Sequence, residues 1–327
     1  MLSTSAALCL ALWSAPPADS TAAIETLAAK ALAEVPGQHA YVFTEIRDHV
    51  AIPLHGLHAE ERFAVGSSFK LYILGRLIAD VNAGRRKLSD TTLLRADQHG
   101  PPHSEMADWP VGLPVTASTL ALKMISISDN TATDHLLFLL GREAVEQQLP
   151  IMGHTKPSVN LPLLSTREMT CLRDKALGMP GRAYLKLDEA GRRAFLKKEF
   201  SGVPDYEALD FDTAAYDVAE WYASPVEMAH ALAWIHQHTA EDQPAALVRS
   251  ILTVDGKLPL DRKIWPFVGF KGGSEDQLLA GNWLLQHRTG RWFTYHVYLN
   301  SPSGPVKPEL ALGPMVAILE AIEATLR

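Results

Sequence analysis

Cysteine is almost missing from this chain. Of 327 residues only Cys9 and Cys171 carry a thiol, so a disulfide framework cannot be the scaffold. Cys9 would also depart with any cleaved leader, and two thiols say little about compartment. Positive charge is short as well. Lys and Arg total 30 against 37 for Asp and Glu, a net charge of −7, the wrong sign for a broad nucleic-acid footprint. No uncharged apolar stretch reaches the length of a membrane span. Neither G-x-x-x-x-G-K-[ST] nor a strand followed by G-x-G-x-x-G occurs, which leaves nucleotide binding without support. Internal repeats and low-complexity tracts are absent too. Histidine is plentiful at 13, but His55-x-x-His58 and His236-x-His238 lack a carboxylate or third ligand at zinc-like spacing. Solvated surface histidines are the expectation for both pairs.

What remains is 47% hydrophobic and 20% charged, the balance of a globular chain long enough for one large domain or two ordinary ones. The N-terminus MLSTSAALCLALWSAPPADS has an apolar stretch from Ala6 to Trp13 and a small-x-small site at Ala18-Asp19-Ser20. It lacks the early Lys or Arg of a secretory signal. Residues 1–22 therefore read as a leader, either an export signal or a plain extension. Export would make the location periplasmic or secreted.

Ile24, Leu27, Ala28, Ala31 and Leu32 recur at helical spacing over 21–34. AYVFTEI (40–46) and VAIPL (50–54) read as strands around the polar turn Arg47-Asp48-His49. Helical patterns dominate from there to about residue 239. They include TASTLALKMISI (116–127) behind the cap Thr116, and HLLFLLG (135–141) closing on Gly141. Strand patterns return at FVGFKGG (267–273), NWLLQHR (282–288) and WFTYHVYLN (292–300). A last helix is expected after Pro314. The order predicts an α/β (α+β) fold: an antiparallel sheet built from both termini (23–66 and 240–327), flanked by helices, with an all-α part (67–239) inserted. Residues 23–327 then form one domain.

Three short patterns carry chemistry. In GSSFKLYILGRL (66–77), Ser67 and Lys70 stand one helical turn apart and share a face. A serine hydroxyl needs a base within hydrogen-bond reach, and a desolvated lysine beside other cations loses its proton readily enough to serve. The N-terminus of that helix would also favour an oxyanion. A serine capping a helix with a solvated lysine is the commoner meaning of S-x-x-K alone. In ISDNTATDH (127–135), Ser128 and Asn130 could relay a proton and meet a substrate carbonyl, or Asp129 could simply cap a helix. In FKGGSE (270–275), Lys271 could anchor a carboxylate with the Ser274 amide as an oxyanion donor, or the segment could be an ordinary turn.

In this order the three patterns resemble those of the class A β-lactamase and penicillin-binding DD-peptidase superfamily, including its divergent serine hydrolases. The likeness extends over RFAVGSSFK (62–70), SDNTATDHLL (128–137) and SPVEMAHAL (224–232). It implies Ser67 as acyl-forming nucleophile, Lys70 as its base and Ser128 as proton relay. It implies Asn130, Lys271, Gly273 and Ser274 as substrate-binding positions, with no metal or organic cofactor. The reaction implied is opening of a β-lactam ring. An esterase, a DD-peptidase or a slowly deacylating penicillin-binding protein is the alternative. The partner would be a small molecule met by a monomer, with no nucleic acid and no membrane span.

The chain departs from the family pattern in three ways. Gly272 replaces the usual threonine or serine after the lysine. KPSVN (156–160) puts Lys156 where the deacylating glutamate belongs, with Asn160 in the asparagine's place. Glu168 and Glu220 are the substitutes to consider, although Glu168 in STRE suits a capping box and Glu220 suits a surface helix. Residues from about 165 to 220 form an extra, basic helical excursion, expected to decorate the surface rather than cover the site. Trp109 is a candidate cleft wall, and Arg288 and Arg291 are candidate charges near Lys271.

Overall fold

The computed structural model describes residues 18–326, except 102, 103, 201, 203, 204, 207 and 255. Most of the leader reading thus lies outside the described residues. The first helix, α1, runs Ala18–Ala33. Its stripe Ile24, Ala28 and Leu32 is buried, as four-residue spacing requires of one packed face.

Strands β1 (Gln38–Arg47) and β2 (Val50–Leu57) form a hairpin across Asp48 and His49. Both turn residues have positive φ, 47° and 68°, matching the twist that a two-residue hairpin loop demands. Strands β3 (Phe267–Glu275), β4 (Leu278–Gln286) and β5 (Trp292–Asn300) complete an antiparallel sheet in the order β2-β1-β5-β4-β3. The two ends of the chain thus meet where β1 pairs with β5, and β3 is left at an edge.

Alternation divides the sheet's two faces. Tyr41, Phe43, Trp283, Phe293 and Tyr295 pack beneath α1 and the closing helix α9 (Pro308–Glu323). That helix begins at Pro308 rather than after Pro314, because a proline at its first position and Ala311 on its buried stripe extend it about two turns upstream. On the other face, Val42 and Ala51 receive Ala229 and Ala233 of α8 (Pro225–His238), where small side chains allow a close approach.

The inserted segment centres on α2 (Lys70–Asn82), in which Lys70 through Gly75 are all buried. Around it lie α3 (Ala117–Ser126), capped by the Thr116 hydroxyl, α4 (Asn130–Leu140), capped by Asp129, and α5 (Arg142–Ile151). The excursion contributes α6 (Thr166–Leu172) and α7 (Glu189–Glu199). Among the described residues no helix is long and apolar enough to cross a membrane.

The histidine expectation needs correcting. His55 is buried, His236 packs on Trp292 beside Arg249, and His238 stacks on Trp234. Only His58, bonded to Glu61, lies on the surface as expected. Tryptophan rings cover His236 and His238, and among the described residues no metal-holding cluster forms.

Candidate active site

Ser67 sits in a single 3-10 turn, Gly66–Phe69, that runs directly into α2. Its neighbour Ser68 is buried and accepts a 2.8 Å bond from the Asn282 amide. Asn282 also donates to the Lys271 carbonyl at 2.9 Å, and its oxygen accepts from the Tyr298 hydroxyl at 2.6 Å and faces His296 Nδ1 at 2.8 Å. Lys271, Asn282 and His296 are in register across β3, β4 and β5, so one buried polar row ties the serine turn to the sheet. Every donor and acceptor of the Asn282 amide is used, which makes burial of that group tolerable. The sequence reading missed Asn282, since an isolated asparagine in an apolar strand announces nothing.

The edge strand meets the serine turn at Gly273. A Cβ there would stand 2.1 Å from the Val65 carbonyl oxygen and 2.6 Å from the Ser67 nitrogen, so only glycine permits the contact. Gly272 points to the opposite face. A Cβ at 272 would lie 2.6 Å from the Phe270 ring, which covers the bare backbone while Trp283 does the same for its cross-strand partner Gly281. The missing hydroxyl at 272 is thus replaced by aromatic surface.

Lys70 is fully buried. Its amine donates to the Ser128 carbonyl at 2.7 Å, the Asn130 side-chain oxygen at 2.8 Å and the Ser128 hydroxyl at 3.2 Å. The expectation from helical spacing was a bond to Ser67, but all of these bonds turn toward residues 128–130. Lys271 reaches the same Ser128 hydroxyl at 3.0 Å and also donates to the Gly272 carbonyl at 2.5 Å. Ser128 holds φ at 61°, a left-handed conformation costing about 1 kcal/mol for a residue with a side chain. It is over-determined by Asp129, whose buried carboxylate accepts from Ser104 Oγ, the Met106 amide and the Ala132 amide at 2.6, 2.9 and 2.7 Å.

Burial disfavours charge on both lysines. Desolvation lowers Lys70 to about 7, opposed by the carboxylates of Asp134 and Asp129. Lys271 is also pushed well below its ordinary value, by burial first and then by the charge of Lys70. Asp134, raised to about 6 by its own burial, accepts the Thr166 and Arg167 amides and so fixes the start of α6.

A cleft of about 360 Å³ opens at Ser67. Ser67, Asn130 and Ser274 line it together with Thr166, Met169, Tyr206, Leu209, Phe211 and Trp221. The expected surface decoration is therefore wrong, because the excursion is a wall of the cleft. Its later part is pinned twice: the Tyr206 hydroxyl donates to the His99 carbonyl at 2.6 Å, and Thr213 Oγ1 donates to Asp276 at 2.5 Å. Between them the buried Arg173 holds the Asp212 and Thr213 carbonyls at 3.0 and 2.7 Å, and pairs with Glu275 at 2.7 Å and Glu220 at 3.3 Å.

Neither candidate deacylating acid stands free in the cleft. Glu168 closes a capping box with Ser165 and pairs with Arg142 at 2.7 Å. Glu220 is buried rather than on a surface helix. It bonds the Trp221 amide and shares a hydrogen bond with Glu275, and burial drives both carboxyls upward. Lys156 is exposed, and Asn160 is used up on the Tyr222 backbone and His154. Trp109 is absent from the described cleft lining; its ring lies under Lys123. Arg291 pairs with Glu45, and the Arg288 amide bonds Ile264, so neither adds to the lining. Arg173 and Glu275 were not anticipated, as their pairing joins segments about a hundred residues apart.

A sheet built from both termini, a helical insertion and a serine turn beside two buried lysines define the serine β-lactamase and penicillin-binding class. A sequence profile of the Beta-lactamase enzyme family matches residues 21–254, and the chain belongs to that family. Its fold is shared with a β-lactamase from Sphaerobacter thermophilus at 19% identity and TM-score 0.64, covering 94% of this chain and 98% of that one. An acyl-enzyme complex of a PBP-A variant with penicillin G aligns at 14% identity and TM-score 0.62, over 93% and 96% of the two chains. The TLA-3 extended-spectrum β-lactamase aligns at 12% identity and TM-score 0.67, over 94% and 99%. No curated protein matches the sequence.

Proposed function

We propose that the protein is a serine acyl-transfer hydrolase that opens strained or activated carbonyls, β-lactam rings foremost, through an ester on Ser67. The observation that carries the reading is the convergence of Lys70 and Lys271 on one hydroxyl, that of Ser128. A Lys70 amine that is neutral near pH 7 can take the Ser67 proton as Oγ attacks. The carbonyl becomes an oxyanion beside the Ser67 and Ser274 amides, which the Gly273 contact brings to one spot. As the carbon–nitrogen bond breaks, Ser128 gives its proton to the leaving nitrogen and recovers one from Lys70. Asn130, which accepts from Lys70 and lines the same cleft, orients the substrate carbonyl.

Hydrolysis of the ester needs a base for water. Glu168 and Glu220 are committed elsewhere, which favours a slowly deacylating, penicillin-binding behaviour over rapid turnover. Intact-mass spectrometry after penicillin addition tests both steps. A Ser67-dependent adduct that persists for minutes is expected. An adduct that forms equally on Ser67→Ala refutes the assignment, and rapid return to free protein would mean that a base has been overlooked.

A further inference from the structure

Resting on the acyl-transfer reading, the cleft holds one more acid that could serve the water step. We infer that Glu275 takes the proton of the water that hydrolyses the Ser67 ester, with Glu220 and Arg173 holding its carboxyl in place. Three observations converge.

The first is the strand. Alternation puts Lys271, Gly273 and Glu275 on one face of β3, and the Gly273 contact sets Ser67 against the middle of the three. Successive residues on that face stand about 7 Å apart along the strand. Lys271 marks the side of the leaving nitrogen, because its amine shares the Ser128 hydroxyl with Lys70. Glu275 marks the other side. When a β-lactam ring opens, its nitrogen stays tethered to the acyl group and keeps the Ser128 side occupied. Water must then reach the ester carbon from the Glu275 side.

The second is the lining. Glu275 and Asp276 are the acids that line the cleft among the described residues. Asp276 lies past the end of β3 and is held by the Thr213 hydroxyl at 2.5 Å. Glu275 is the one on the Ser67 face, and it directly follows the Ser274 amide assigned to the oxyanion.

The third is the carboxyl pair. Glu220 and Glu275 share a hydrogen bond; burial raises both, Glu220 the further, and Arg173 opposes the rise in each. Glu220 thus keeps the proton and donates it, while Glu275 carries the charge, with Oε2 2.7 Å from the guanidinium. That oxygen is buried, so the 13% of the side chain left exposed belongs to its other atoms.

In the step itself, Glu275 accepts a proton from water as the water oxygen bonds to the ester carbon. The intermediate collapses, the carbon–Oγ bond breaks, and Glu275 passes that proton to the departing Ser67 oxygen. The acid product leaves, and Glu275 is a carboxylate again. Glu220 and Arg173 are positioning residues. Protonating Glu275 forfeits its attraction to Arg173, which weakens the base and fits slow release rather than rapid turnover.

Decay of a preformed adduct tests the assignment. The full chain is loaded with benzylpenicillin, with Ser67→Ala as control, free penicillin is removed, and intact mass follows the loss of adduct from about pH 5 to 8. Glu275→Gln should slow decay at pH 8 by at least about tenfold. It should also lose part of the wild-type rise with pH, keeping only what Lys70 contributes. Hydroxylamine, a nucleophile that needs no protein base, should strip the acyl group from both proteins at similar rates. Asp276→Asn, beside the pair but outside it, should decay at pH 8 as wild type does.

Wild-type decay in Glu275→Gln overturns the inference, and so does equal slowing in Asp276→Asn. Hydroxylamine release slowed by the same factor would mean a distorted site, and overturns it as well. If the amide variant forms no adduct, Glu275→Asp replaces it: slower decay with the pH rise kept supports the assignment, and wild-type decay overturns it. Failure of the wild-type chain to form a Ser67-dependent adduct is a different result, which would sink the acyl-transfer reading itself.

Discussion

Lys70 and Lys271 donate to the same oxygen, the Ser128 hydroxyl, at 3.2 and 3.0 Å. Two ammonium groups so placed in a buried site repel, and burial already penalises each. At least one is held neutral near physiological pH, and a neutral amine is what a general base requires.

Acylation should therefore rise with pH through about 7, the value to which burial lowers Lys70, because only the amine accepts the Ser67 proton. The same depression means that the unfolded chain binds a proton here between about 7 and 10.5 while the folded one does not. The Lys70 contribution to stability thus increases with pH across that window, and is least below it. Adduct-formation rates between pH 5.5 and 8.5 check the first point; a flat profile there would contradict the assigned base. Chemical unfolding of Lys70→Met, which should lose that slope, checks the second.

Replacing Lys271 by Met should lower acylation by about a hundredfold or more, the usual scale for a proton-transfer partner. Ser128 would keep its bond to Lys70 yet lose its second orienting donor. Thermal unfolding should show the variant folded, since an apolar side chain at this fully buried position relieves the burial of charge. Wild-type acylation rates in this variant would remove Lys271 from the machinery.

Arg173→Leu should destabilise the protein by about 3–5 kcal/mol, because Glu220 and Glu275 lose the guanidinium they share. The Asp212 and Thr213 carbonyls lose their donor too, so the excursion should loosen. Denaturant melts measure the first effect, and hydrogen exchange across 205–215 the second. Protection unchanged there would show that the excursion is held by other contacts.

Gly272→Thr should fail to restore the family's hydroxyl on its own, since the new Cβ meets the Phe270 ring at 2.6 Å. Adding Phe270→Ala should relieve that overlap, so the double variant should lose less stability than the two single losses summed, although removing the ring from its contact with Trp283 has a cost of its own. Comparing melting temperatures of the single and double variants settles it; independent, additive effects would mean the ring is not what fills that space.

Much of the fold could be read in advance because its cues are local. The Asp48-His49 turn, the Thr116 cap, the Ser165–Glu168 capping box and the apolar stripes of α1 and α9 depend on neighbours within a few residues. The Ser67–Lys70 pair belongs with them, since one 3-10 turn carries the chain from the serine into α2. What spacing could not show was the direction of the Lys70 amine, which is set by Ser128, 58 residues away. Nor could it show that Glu220 is buried against Arg173 rather than exposed on a helix.

The sequence by itself determined which groups could react, because a serine, two lysines and an amide have their chemistry wherever they lie. It also determined the local bends that carry them. Only the tertiary structure decided that Lys271 meets Ser128 across 143 residues, that Phe270 fills the space above Gly272, and that the excursion walls the cleft. Those outcomes depend on which surfaces exclude water from one another, and that is fixed by the packing of the whole chain, not by any segment of it.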